Sequence, residues 1–186
     1  MSGSALPASV VAEVVAAARE YLRLGDGVEA DLLARVAASA VLTAEAFCGE
    51  VFVARPHEAV LAARPGWQRL PERPVTAIAG VTALPIGTAP FVAEVGSYAL
   101  DIDAGGVGWV RVTGLEVPQV AVSFTAGRAT TFAAVPAPVA QGIVMLAAHL
   151  FEARDGTALP PAAVAALWRP FRQLRLLAPV HQEVGR

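Results

Sequence analysis

His149 and Glu152 stand three residues apart in a stretch of helical pattern, so their side chains can share one face, as in half of a histidine–carboxylate metal site. A second such pair is needed and none is evident: His57 falls in a β-prone stretch and His181 in the tail. The pair therefore reads as a histidine at the edge of a core beside a solvated glutamate. Asp101-Ile102-Asp103-Ala104-Gly105-Gly106 resembles the opening of a calcium loop, but its twelfth position is Val112, where a bidentate glutamate is required. A hairpin turn explains it better. Cys48 is the single cysteine, which excludes an internal disulfide and a thiolate zinc cluster. Its expected fate is burial as a small apolar side chain, with a reactive thiol as the lesser reading. No serine or cysteine occupies a nucleophile elbow, no glycine-rich phosphate loop leads to a lysine, and no dinucleotide fingerprint follows a strand. Nothing here argues for catalysis, a metal or a cofactor.

Arg169, Arg172 and Arg175 recur every third residue beside Trp168 and Phe171. One reading is the solvated basic face of an amphipathic helix. The other is an interface, because arginine and tryptophan are enriched among binding hot spots. Three arginines facing phosphate would make only a weak, non-specific contact at cellular salt.

These residues need elements to hold them. Val11, Val14, Val15, Ala18, Tyr21 and Leu22 recur at helical spacing over residues 8–24, with Pro7 before them and Gly25 beyond. Leu32, Leu33, Val36, Ala37, Ala40, Val41 and Ala44 repeat the pattern over residues 28–48, closed by Gly49. Small residues at 37–40 permit close helix approach, so the two segments predict a helical hairpin. From Val51 the texture changes to short β-prone pieces: Val51–Ala54, Glu58–Arg64, Val75–Leu84, Tyr98–Asp103, Val107–Thr113 and Gln119–Thr125. Asp103-Ala104-Gly105-Gly106 joins two of them as a hairpin loop. Helix resumes after Pro136 with the stripe Val139, Ile143, Leu146, Ala147, Leu150 and Phe151, ending at Arg154-Asp155-Gly156. Pro160-Pro161 opens a last helix with Val164, Leu167, Trp168, Phe171 and Leu174 on one face, which Pro170 should kink or interrupt.

The expected fold is α+β: a bundle of about four helices with a small antiparallel β insert between helices 2 and 3 and an extended C-terminal tail. The expected division is a helical hairpin at 1–50, the insert at 51–127, helices completing the bundle at 128–176, and a tail at 177–186. The chain has 186 residues, enough for one substantial core. It is 55% hydrophobic, too apolar for disorder, yet no run approaches the roughly 18 apolar residues of a membrane helix. The apolar stretch at Val10–Ala18 contains Glu13 and has no basic residue before Arg19, so no signal peptide is expected and synthesis should be cytoplasmic. All fourteen basic residues are arginine, and the net charge is −2. A non-specific DNA binder usually carries a basic surplus, so any encounter with DNA should be passage rather than grip.

Four stretches carry a family resemblance. They are Tyr21-Leu22-Arg23-Leu24 with Asp31-Leu32-Leu33 and Glu45-Ala46-Phe47-Cys48-Gly49; then Pro71-Glu72-Arg73-Pro74-Val75-Thr76 running through Ile78 to Val81-Thr82-Ala83-Leu84. The others are Val122–Gly127 with Val135-Pro136 leading into Leu146–Asp155, and Pro160-Pro161 with Leu167-Trp168-Arg169-Pro170-Phe171-Arg172. In this order and spacing, over about 150 residues, the chain resembles the head–tail connector (adaptor) family of long-tailed phages, including forms in prophages and gene transfer agents. One departure is Glu50, where relatives often place a basic residue.

The resemblance implies a structural, non-enzymatic ring, commonly a dodecamer in the assembled particle. Such a ring docks beneath the portal protein and above the next neck protein, a stopper or tail terminator. Double-stranded DNA passes through its lumen without specific binding, and no membrane is involved. It implies portal binding by Trp168, Arg169, Phe171, Arg172, Arg175, Leu176 and Leu177, and subunit-interface helices bearing Tyr21, Arg23, Arg35 and Arg154. The free subunit is expected to be monomeric before assembly. The competing reading is a ligand- or carbohydrate-binding module that uses Trp67 and Trp109 in the β insert as platforms.

Overall fold

The computed structural model describes residues 2–3, 5–25, 29–153 and 160–173. Four α-helices form where the periodicity places them: α1 (Ala8–Leu22), α2 (Ala30–Cys48), α3 (Ala137–Glu152) and α4 (Ala162–Trp168). α1 stops before Gly25, because Arg23 itself takes the left-handed conformation (φ 55°) and Leu24 N–H returns to Arg19 O. Gly49 closes α2 in the same conformation (φ 69°), as expected. α4 ends at Trp168 and tightens into a 3-10 turn at Arg169–Phe171, the interruption that Pro170 imposes. Arg154–Gly156 and Leu174 lie outside the described residues, as does the tail from 177 onward.

The helices bury one core. Val10 and Val14 of α1, Leu33, Ala37 and Val41 of α2, and Val139, Ile143 and Leu146 of α3 belong to it, with Val164 and Trp168 of α4. α3 packs against each of the other three helices. The alanines at 37, 40 and 44 are fully buried, which lets α2 approach its neighbours closely. Glu13, the one charge in the first apolar stretch, accepts the Phe132 N–H (2.7 Å) and so ties α1 to the turn that leads into α3.

Between α2 and α3 lies the expected small antiparallel β insert, whose seven strands divide between two sheets. Counting β1 (Ser2–Gly3), which precedes α1, as the first strand, the seven are β2 (Arg55–Ala62), β3 (Gln68–Arg69), β4 (Val75–Leu84), β5 (Phe91–Val92), β6 (Tyr98–Ile102), β7 (Gly108–Val112) and β8 (Gln119–Ala126). One sheet has the order β1-β2-β8-β4-β5 and recruits the N-terminal β1, which no pattern announced; the other is β3-β7-β6. Leu70, Val110 and Val112 from around the small sheet join Val81, Val120, Val122 and Phe124 of the large one in a second core.

Two strand expectations are corrected. Val51–Ala54 is not a strand: only Val53 pairs, through an isolated parallel bridge to Ala129. That segment is the incoming connection, bonded to the outgoing one by Ala54 N–H to Ala129 O (2.8 Å) and Ala129 N–H to Phe52 O (3.0 Å). The β2 ladder then begins at Arg55 rather than Glu58, because β8 extends to Ala126 and offers a partner there. The two connections cross so closely that a Cβ on Gly127 (φ +100°) would lie 2.5 Å from the Val53 carbonyl carbon. Only glycine fits.

Candidate functional site

The arginine-bearing C-terminal segment is held against the helical core by its own apolar residues. Expected as a portal-contacting side chain, Trp168 is 2% exposed and packs into the core. Val164 and Trp168 fall four apart on the buried face of α4, so the periodicity that defines the helix turns the indole inward. The ring lies on Gly142 of α3, where a Cβ would overlap it, and tilts against Phe47 of α2 with centroids 5.7 Å apart. Its Nε1–H donates to Val139 O (3.2 Å).

Cys48 is fully buried, as expected, with its thiol 3.8 Å from Trp168 O. Burial first, and then the charge of Glu50, push the thiol pKa up to about 11, so it is a poor nucleophile. The next contacts point outward along the segment. Gln173 N–H donates to Cys48 O (2.8 Å), and the Arg172 guanidinium stands 5.7 Å over the Phe47 ring. Arg169 and Arg172 are exposed and Phe171 is half-buried. Arg175, Leu176 and Leu177 lie outside the described residues. Tyr21, Arg23 and Arg35 are exposed on the helical hairpin, and Arg154 lies outside the described residues.

Beside Arg172 and Gln173 opens a cleft of about 670 Å³, whose other walls are the end of α2 and the start of the β insert. It contains the pair that sequence reasoning missed. Glu45 and Arg55 are each 7% exposed and face each other in two hydrogen bonds, Arg55 Nη2 to Oε2 (2.7 Å) and Nη1 to Oε1 (2.9 Å). Oε1 also accepts the Phe52 N–H (2.9 Å) and Val53 N–H (3.2 Å), and Arg55 Nη1 donates to Val53 O (3.1 Å). This cluster clamps the helical core to the insert. A signal existed: Glu45 sits among the buried Val41, Ala44 and Cys48 of α2, where a carboxylate requires a partner.

His57, two residues further on, stacks against Phe124 with centroids 5.7 Å apart. Burial, followed by the charge of Arg55, lowers its pKa below the ordinary 6.5. Below pH 6.5 the unfolded chain therefore takes up a proton that the folded chain refuses. Stability should be fully present above that pH and fall as pH drops from 6.5 toward the folded-state value. Urea titrations at pH 7.5 and pH 5 should show a lower midpoint at pH 5, with a smaller difference in His57→Leu. An unchanged difference would refute the assignment.

The other candidates resolve into structure. Asp103 Oδ1 accepts the N–H groups of Gly105 and Val107 (both 2.9 Å), and Oδ2 accepts the Trp109 indole N–H (3.2 Å), which makes a hairpin turn. The Val107 bond is the main cause that lowers the Asp103 pKa. With Trp109 held there and the Arg111 guanidinium 5.0 Å over the ring of Trp67, both proposed platforms are engaged within the chain. His149 is half-buried and Glu152 exposed, and no group of three or more metal-ligating side chains gathers among the described residues. Among them, too, no helix is long and apolar enough to cross a membrane.

No family model matches the chain, and no curated protein matches it. Solved structures do. A chain from the neck of an empty gene transfer agent particle, computed with C6 symmetry, is 25% identical and superposes with a TM-score of 0.74 over 95% of this chain and 98% of its own. A chain from the virion of a native gene transfer agent particle is 26% identical, with a TM-score of 0.70 over 94% and 95%. A third, from the neck of a native particle computed with C12 symmetry, is 26% identical, with a TM-score of 0.67 over 95% and 98%. The chain is thus similar, over nearly its whole length, to components of gene transfer agent particles and their necks.

Proposed function

We propose that this protein is a structural subunit of the neck of a gene transfer agent or phage-like particle, a head–tail connector that acts as a ring and not as an enzyme. The observation that carries this reading is the match over nearly the full length of both chains to neck components, at 25% and 26% identity. The helical core and the β insert both take part in it, so the likeness is not that of a common helical bundle alone.

In this role the ring sits beneath the portal protein and carries the next neck protein, and DNA leaves through its lumen. A net charge of −2 suits a channel that passes DNA without holding it. The segment leaving Gln173 is the arm that reaches the portal. Arg169, Phe171 and Arg172 form its described root, Trp168 is the core anchor that positions them, and Arg175, Leu176 and Leu177 continue it. Tyr21, Arg23, Arg35 and Arg154 lie toward neighbouring subunits.

Deleting residues 177–186 tests the arm. Filled heads should accumulate without tails, and the deleted protein should stay folded but be missing from purified heads. Normal yields of complete particles would remove the arm assignment. Detection of the intact protein in several copies at the vertex would support the neck reading, and its absence from particles would overturn it.

A further inference from the structure

The large sheet has two edges of different character. At one end lies β5, a two-residue strand with no strand beyond it among the described residues. Phe91 and Val92 occupy it, and Val92 is 80% exposed. Ile86 and Val95, on the same excursion between β4 and β6, are 86% and 83% exposed. At the opposite end β1 pairs with His57 and Glu58 of β2, and among the described residues nothing pairs with the outer edge from Ala59 to Ala62, on which Val60 is 52% exposed. Single exposed apolar residues need no explanation, but four within ten residues at a sheet edge mark a binding surface.

Resting on the neck reading, we propose that the β5 edge of one copy pairs with the β2 edge of the next, so that the large sheet runs on from subunit to subunit around the ring. The occupant of each edge is a second copy of this chain, for a geometric reason. The two edges terminate one sheet on opposite sides, so joining them is a head-to-tail operation, which gives a ring where the rotation between copies closes. Chains of this fold occur in necks computed with sixfold and twelvefold symmetry. Backbone pairing supplies the register, while Phe91, Val92 and Val60 supply apolar area that water otherwise covers. With the edge backbone exposed, copies concentrated on a template would pair, while the free subunit is expected to stay monomeric in dilution. One short strand pair per contact, with two residues of β5, is too little to hold free subunits together.

Disulfide trapping in assembled particles tests this, since the natural Cys48 is buried and contributes no background. Particles carrying Val92→Cys with Val60→Cys should give, on mild oxidation, a ladder of covalent multimers on a non-reducing gel. Either single variant should give none. A double variant present in particles at normal copy number without a ladder would overturn the edge pairing, and covalent dimers from Val92→Cys alone would replace it with a symmetric contact. Absence of the wild-type chain from particles would instead remove the neck reading beneath it. As a second arm, Val92→Lys should fold with an unchanged melting temperature yet be lost from particles at least tenfold. Normal incorporation of that variant would also sink the proposal.

Discussion

Replacing Glu45 with alanine should destabilise the protein by about 3–5 kcal/mol, the range for breaking a buried ion pair from one side. The carboxylate accepts four hydrogen bonds, two from Arg55 and two from the Phe52 and Val53 backbone. Removing it leaves a guanidinium and two N–H groups buried without their acceptor, and each unsatisfied group carries its own desolvation cost. Arg55→Met should cost less, because the remaining carboxylate keeps the two backbone donors. Glu45→Met with Arg55→Met should recover part of the loss of Glu45→Ala but not all of it, since the orphaned N–H groups remain. Urea denaturation of the four proteins measures this, with a shifted midpoint at constant slope. If Glu45→Ala costs under 1 kcal/mol, the pair is not the clamp between core and insert. The consequence for function follows from position. The clamp fixes the insert against α2 and lines the cleft beside the arm's root, so its loss should reduce incorporation into particles even where the chain still folds.

The second large effect is expected at the contact between Trp168 and Gly142. Gly142→Ala should destabilise the protein although alanine is the better helix former by about 1 kcal/mol. A methyl at that position overlaps the indole, so either α4 moves off α3 or the tryptophan leaves its site. Overpacking of this kind costs about 1–3 kcal/mol. Trp168→Ala should cost about 3–5 kcal/mol by emptying the same space. Trp168→Phe should lie between, losing the bond to Val139 O but filling most of the volume. The combination Gly142→Ala with Trp168→Ala should be less damaging than the sum, because the methyl occupies vacated space. Additive losses would mean that the two residues do not touch. Since Trp168 carries Arg169 and Arg172 on its outer side, Trp168→Phe is the variant in which to ask whether head–tail joining tracks the anchor rather than global stability.

Much of this chain was legible because its signals are local. The spacing of apolar residues set the four helices, and Pro170 stopped α4 within the chain's own geometry. The stretch from Val75 to Leu84 matched its strand at both ends. Asp103 made its turn because its carboxylate reaches N–H groups two and four residues away. Burial of Cys48 followed from its place on the apolar stripe. The C-terminal segment was partly legible: the stripe through Val164 and Trp168 already said that the tryptophan faces inward, while hot-spot statistics for tryptophan suggested the reverse. Packing decided for the stripe.

The rest depends on partners distant in sequence. Nothing in Ser2-Gly3 says that it will pair with His57 and Glu58, and nothing in the β-prone pieces says that they will sort into two sheets. Strand pairing is chosen by the whole set of competing edges, and alternation in one segment reveals a face but not a neighbour. The Glu45–Arg55 clamp is hidden for the same reason. Nine residues of helix end and connection separate the two charges, and only the crossing of incoming and outgoing chains at Val53 and Gly127 brings them together, away from water. Local periodicity therefore determined which residues turn inward, because that preference is settled within one or two turns of chain. The tertiary structure decided which inward residues meet, and so where the segment after α4 is anchored and how the strands sort into two sheets.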